Sequence, residues 1–413
     1  MSRRAAITGI GVVAPTGIGI AEHWENTLAG TCRIGPITTF DTSGLPVSLG
    51  GEVPGFDESE FVPSKLLVQT DRWTWMALAA TRLALDDAAL DPDREYPFGL
   101  SVVTASASGG NAFGQREIQA LWRDSPRAVS AYQSIGWFYA ASSGQISIRH
   151  QLKGACSVLV ADSAGGIEAV AQAKRLIRRG TGAVVAGGTE APLSPYALVC
   201  QSSQDTLSRS TDPATAYRPF APDAGGYVPG EGGAIVVVEE WARAHSRGVP
   251  QVYAEIAGTA STHDAHHPTE PPADHRQLAR AMREAVDRAG CSPGDVDVVF
   301  ADGSGDVTLD RHEAAAIREV FGGRRVPVTV PKTMTGRLYS GGAALDLAWA
   351  ALALTHGVIP PSVNLDAAGG GHGLDLVTEA REAPHLRTAL VVARGTGGFN
   401  SAAVLRSPRH QAA

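Results

Sequence analysis

The sequence predicts an α/β protein made of two repeated halves, and three observations carry that expectation. Short apolar runs rich in Val and Ile alternate with stretches of helical period, the arrangement of parallel or mixed sheets covered on both faces. The order of strands and helices in residues 1–245 is echoed in residues 246–413, so the chain divides into two α/β units at that point. The third observation is local: Val158-Leu159-Val160 leads through Ala161-Asp162-Ser163-Ala164-Gly165-Gly166 into a helical pattern, a strand-turn-helix elbow.

In chain order, Ala5 to Pro15 reads as a buried strand entering a Gly/Pro turn, and Leu67 to Asp86 as an amphipathic helix. Leu100 to Gly110 repeats the theme of an apolar strand followed by small residues, with a helix beginning near Asn111. After the elbow, Ile167, Val170, Ala171, Lys174 and Ile177 mark a helix that stops before Gly180. Gly182 to Gly188 and Gly233 to Glu239 are further strands. In the second half, Val252 to Gly258 is a strand, Gln277 to Ala289 a helix, and Val296 to Phe300 a strand turning at Asp302-Gly303-Ser304-Gly305. Ala344 to Leu354 is helical, and Thr388 to Ala393 and Ser401 to Leu405 are a strand pair around Gly395-Thr396-Gly397-Gly398.

The elbow delivers Ser163 to a helix N-terminus, where free N–H groups and the helix dipole lower a thiol pKa or bind an oxyanion. The segment Ala161-Asp162-Ser163-Ala164-Gly165 misses the G-x-S-x-G hydrolase elbow by one residue. A serine hydroxyl also needs a base, which a thiol in this setting needs less.

Composition excludes several classes. With 413 residues, 44% hydrophobic and 19% charged, the chain is a folded globular protein rather than a disordered one. A net charge of -7 argues against a nucleic-acid partner. Its richest apolar stretch, Ala343 to Leu354, is too short to span a membrane and carries Asp346. Met1-Ser2-Arg3-Arg4 runs into a strand pattern without a signal-peptide core, which predicts a cytoplasmic protein. Arg175, Arg178 and Arg179 read as a solvated helix end, with docking of an acidic partner the other reading. Cys32, Cys156, Cys200 and Cys291 are scattered and read as buried or inert thiols, and no metal site is expected. His263, His266 and His267 cluster in a polar loop, which reads as solvated rather than as a ligand set.

From Ile7-Thr8-Gly9-Ile10-Gly11 to Gly397-Gly398-Phe399-Asn400-Ser401 the sequence resembles the thiolase-fold β-ketoacyl synthases. Further landmarks are Arg218-Pro219-Phe220, Pro229-Gly230-Glu231-Gly232-Gly233, Asp310-Arg311-His312-Glu313 and Pro331-Lys332-Thr333-Met334. The resemblance implies a thiolase-like fold with duplicated βαβαβ halves in a five-layered αβαβα architecture. It also implies a catalytic Cys and two His, and none of the three is present. The Cys falls on Ser163, the first His on Asp302 and the second on Arg337, so the catalytic set is degenerate. Losing one such group costs ~10² to 10⁴ in rate. An anionic Asp302 is further expected to reverse the local field and repel the substrate carboxylate.

This pattern is similar to the chain length factors of type II polyketide synthases, as are "SAYQSIGWFYAASSGQISIR", "PKTMTGRLYSGGAALD" and "VDVVFADGSG". Those proteins typically carry Gln where this chain has Ser163, which argues against a decarboxylating role here. The resemblance implies a non-catalytic subunit in a heterodimer, or a dimer of heterodimers, with a ketosynthase alpha subunit. The strand at about Ala155 to Val160 would pair across the two-fold axis. Substrates would arrive on the phosphopantetheine of an acyl carrier protein, with no cofactor bound to this chain.

The resemblance places chain-length gate positions at Asn111, Gly114 and Ile118, whose spacing puts them on one helix face. Chain length factors often carry Phe at two of these positions, so the expectation here is a tunnel at least as roomy as that of a Phe-gated member, accepting a long or partly reduced chain; ordinary interface packing is the other reading of the three. Lys332 and Glu313 are expected to form a buried supporting pair, and Thr396 stands where active synthases carry a gating Phe. Other readings stay open: a freestanding Ser163-dependent acyltransferase or hydrolase, with Asp302 and His312 invoked as partners; a malonyl-carrier-protein decarboxylase used for chain priming; and a scaffold without a tunnel.

Overall fold

The β-branched runs form strands and the helical-period stretches cover them. In chain order the first half holds β1 (Ala5–Ala14), α1 (Arg72–Asp87), β2 (Leu100–Ala105), α2 (Asn111–Arg123), β3 (Cys156–Leu159), α3 (Gly165–Arg179), β4 (Ala183–Glu190), α4 (Pro195–Ser202) and β5 (Gly232–Glu240). The second half holds β6 (Ala254–His263), α5 (Arg276–Arg288), β7 (Val298–Phe300), α6 (Val307–Phe321), β8 (Pro327–Thr329), α7 (Ser340–His356), β9 (Thr388–Gly395) and β10 (Phe399–Arg406). These belong to a computed structural model that describes residues 3–366 and 372–408; Met1 and Ser2 of the N-terminal motif lie outside the described residues.

Hydrogen bonding orders the strands β3-β2-β4-β5-β1 in the first half and β8-β7-β9-β10-β6 in the second. Counted within its own half, each sheet runs third, second, fourth, fifth, first. In both, the third, second and fourth strands are parallel and the fifth is antiparallel to its neighbours. The duplication is therefore one of topology. β1 also pairs with β6, Ala6 opposite Glu255 and Ile7 opposite Ala254, which joins the two sheets.

Helices α3 and α7 lie between the sheets: α3 packs on β2, β4 and β10, and α7 on β4, β5 and β9. α1 covers the outer face of the first sheet, α5 and α6 that of the second. Five layers result, in the order αβαβα. A helix enclosed on all sides has no polar face, and α7 is buried without interruption from Ser340 to Leu354. It begins before the predicted Ala344, at Ser340, and its first turn, from the Ser340 carbonyl to the Ala344 nitrogen, crosses α3 at Gly166. There the backbones approach closely enough that a Cβ at Gly166 would lie 2.3 Å from the Ala344 nitrogen.

Two surface features differ from expectation or extend it. Cys156 and Cys200 are exposed rather than buried; Cys156 lies on β3, the last strand of the first sheet, and Cys200 on α4. Only Cys32 and Cys291 are partly buried. Arg175, Arg178 and Arg179 are exposed in the last turns of α3. Among the described residues no helix is long and apolar enough to cross a membrane.

Candidate functional site

The loops that follow β3, β7, β8 and β9 meet at one end of the central helices, and this is where the degenerate catalytic positions converge. After β3 the chain turns through Asp162, whose backbone is left-handed at φ 46°. Strain of this kind concentrates at functional elbows. The Asp162 carboxylate accepts the Thr396 N–H at 2.7 Å, so Thr396 ties the β9–β10 hairpin to the elbow instead of gating it. Ser163 follows in the turn entering α3 and is buried.

No base activates that hydroxyl. Among the described residues, no histidine, lysine or carboxylate hydrogen-bonds Ser163, and the groups once available for a triad are engaged elsewhere or unpartnered. His312 sits on α6 with a buried Nδ1 that has no partner, and burial lowers its pKa further. Asp302 is committed to Arg337.

That pair is the centre of the site. Arg337 Nη2 reaches Asp302 Oδ1 at 3.0 Å and Nη1 reaches Oδ2 at 3.0 Å, a bidentate contact between two buried groups. Nη1 also donates to the Asp302 and Gly303 carbonyls, and the Arg394 N–H donates to Asp302 Oδ1 at 3.1 Å. Burial opposes ionisation of Asp302, but the Arg337 and Lys332 cations overcome it and hold the carboxyl below its usual range. The expected reversal of the local field is thus corrected: Asp302 is charged and neutralised. Each side chain of the pair holds the other in place, which leaves neither free to carry a proton.

The supporting residues are arranged differently from the sequence expectation. Lys332 and Glu313 do not pair. Lys332 Nζ stands 2.6 Å from Asp346 on α7 and donates to the Ala301 and Asp302 carbonyls. Glu313 accepts the Asp302 N–H at 2.7 Å and the Gly303 N–H at 2.9 Å. One turn earlier on α6, Asp310 accepts N–H groups of Ser304 and Phe220. The physical reason is that a loop rich in Gly leaves backbone donors unsatisfied, and carboxylates spaced three apart on one helix face collect them. Burial and the neighbouring Asp302 charge push Glu313 to about 7. Asp346, visible in the sequence as a lone charge in an apolar stretch, was the signal for the true partner of Lys332.

A cavity of about 230 Å³ remains here, lined among others by Ser163, Asp302, Arg337, Tyr339, Arg394 and His267. His266 also faces it, while His263 packs edge-on against Phe399, and among the described residues no cluster of side chains could hold a metal. Tyr339, another left-handed residue at φ 49°, bonds the Tyr227 hydroxyl at 2.9 Å and the Gln201 amide oxygen on α4. Neither tyrosine was singled out by sequence.

Helix α2 carries Asn111, Gly114 and Ile118 on one face; Gly114 is buried, Asn111 partly so and Ile118 exposed. Its N-terminus is anchored by Asp71, which accepts the Phe113 N–H at 2.6 Å, and by the loop before it, where Glu190 accepts the Ala107 N–H at 2.5 Å and the Ser108 hydroxyl at 2.8 Å. Strand β3 ends the sheet with one edge free of any described partner.

A fold of two topologically identical halves, with a strand-turn-helix elbow in the first facing two loops of the second, defines a condensing-enzyme architecture. The chain belongs to the beta-ketoacyl synthase family: the N-terminal domain of that family matches residues 2–244 and the C-terminal domain residues 253–366. It is 52% identical over 401 residues to the tetracenomycin polyketide synthase ketoacyl synthase beta subunit of Streptomyces glaucescens, covering 97% of each chain. It is 50% identical to the actinorhodin polyketide putative beta-ketoacyl synthase 2 of Streptomyces coelicolor, covering 97% of this chain and 98% of that one. Among solved structures it is similar to the ishigamide ketosynthase/chain length factor, with a TM-score of 0.91, 28% identity and coverage of 98% and 100%. It also resembles a type II PKS acyl-carrier protein in complex with its ketosynthase bound to the hexaketide, with a TM-score of 0.90, 26% identity and coverage of 98% and 100%.

Proposed function

We propose that this chain is the non-catalytic, chain-length-determining subunit of a heterodimeric type II polyketide ketosynthase. It shapes the acyl tunnel beside an active ketosynthase while malonyl units are condensed on an acyl carrier protein. The observation that carries this reading is the Asp302–Arg337 pair, which fills the site of both catalytic imidazoles within an otherwise intact condensing fold. Ser163 has no base, so acylation at the elbow is unsupported. What the chain still offers is shape: α2 with Asn111, Gly114 and Ile118, and a sheet that ends in the free edge of β3. The growing chain would be carried on phosphopantetheine and enter from the partner, consistent with the complexes described for similar structures.

The test is reconstitution with a ketosynthase alpha subunit and an acyl carrier protein, reading the mass of the carrier-bound product. Replacing Asn111 and Ile118 by Phe shortens that product by whole two-carbon units if α2 is the ruler. An unchanged length removes the ruler from this helix. A serine-reactive probe is expected to leave Ser163 of the isolated chain unlabelled; labelling would instead favour the acyltransferase or hydrolase reading.

A further inference from the structure

The expectation of a roomy tunnel came from α2 alone, from a wall of Asn111, Gly114 and Ile118. The structure adds a second element. After the short helical turn Gln133–Gly136, the segment Trp137-Phe138-Tyr139 lies against the N-terminal half of α2. A backbone hydrogen bond from the Gly110 N–H to the Trp137 carbonyl, 3.1 Å, fixes it there.

Two glycines make the approach possible. A Cβ at Gly136 would lie 2.7 Å from the Phe113 ring, and a Cβ at Gly114 would lie 2.8 Å from Trp137 Cδ1. Real Cβ atoms do not come so close, so the volume that a side chain at position 114 would fill is already taken by the indole. Trp137 is nevertheless 48% exposed, so about half of its surface stays open. A large rigid ring held by backbone contacts and left half open suits a wall that a flexible chain must stop against.

We propose that Trp137 is a chain-length-determining residue, its indole standing over Gly114 as the middle of the tunnel wall. This rests on the reading of α2 as the ruler. The Gly114–Trp137 unit then does with a residue from a neighbouring segment what a bulky side chain at position 114 does from α2 itself. Residue 114 and residue 137 are not independent: a larger group at one excludes the ring at the other.

The experiment uses the reconstituted heterodimer with its carrier protein and compares Trp137→Ala, Trp137→Phe and the Asn111→Phe/Ile118→Phe double variant. Complex formation is checked by size-exclusion chromatography, and the carrier-bound product is weighed. Trp137→Ala is expected to lengthen the product by at least one two-carbon unit. Trp137→Phe is expected to give a mixture of the two lengths. If Trp137→Ala loses the complex, the Phe variant decides on its own. Unchanged length in the Trp137 variants with a shortened product in the double variant overturns the role of Trp137 and leaves the ruler standing. Unchanged length in all three overturns both.

Discussion

At the scale of single residues, the former active site is a set of buried charges that satisfy one another. Removing one partner of such a pair is far more damaging than never having had it, because the other charge stays buried and alone. Arg337→Ala is therefore expected to destabilise the chain by about 3–5 kcal/mol, read from the urea midpoint, whereas replacing Asp302 and Arg337 together by apolar residues costs much less. Equal losses in the two variants would mean that the pair is not the unit. Glu190 gives a second, pH-dependent expectation. Burial, opposed by the bond from Ser340 and those from the 107–108 loop, raises its pKa from 4.5 to about 7. The folded state thus holds a proton that the unfolded chain has released between those values. Its contribution is complete below pH 4.5 and is lost as pH rises toward 7. Unfolding free energy of the native chain should fall in that window relative to Glu190→Gln, with a slope of at most ~1.4 kcal/mol per pH unit. Parallel curves for the two proteins would rule this out.

At the scale of elements, the proposed function rests on β3 and α2. β3 donates its inner edge to β2 and leaves the outer one unpaired, and the exposed Val160 lies just beyond its end. An unprotected sheet edge with apolar flanks is a pairing site. Val160→Glu is expected to leave the melting temperature of the isolated chain within a few degrees of the parent and to abolish co-elution with the ketosynthase. Retained co-elution would place the subunit contact elsewhere.

At the scale of the whole molecule, several large apolar side chains are not absorbed by the core. Trp122 and Ile118 are on α2, Val199 is on α4, and Trp137 and Phe138 lie in the segment packed against α2. Isolated chains rarely leave so much apolar surface uncovered. The lone subunit is expected to self-associate on sedimentation, and co-expression with the ketosynthase to give a discrete heterodimer. A stable monomer at micromolar concentration would contradict a heterodimeric design.

Much of this was legible in the chain itself. Alternation of apolar runs with helical periods determined the α/β class, and the departures at Ser163, Asp302 and Arg337 were visible at their motifs, since motif positions are local. The strand at Cys156–Leu159 and the helix at Asn111 were found by the same local signals. Partnerships were not local. That Lys332 meets Asp346 rather than Glu313, that Arg337 neutralises Asp302, and that Trp137 occupies the space over Gly114 each depend on which backbones approach in three dimensions. The sequence by itself determined which elements form and which motif positions depart from the family. Only the tertiary structure decided which charges cancel and which side chain stands over Gly114, because charge compensation and steric exclusion are set by distance in space and not by separation along the chain.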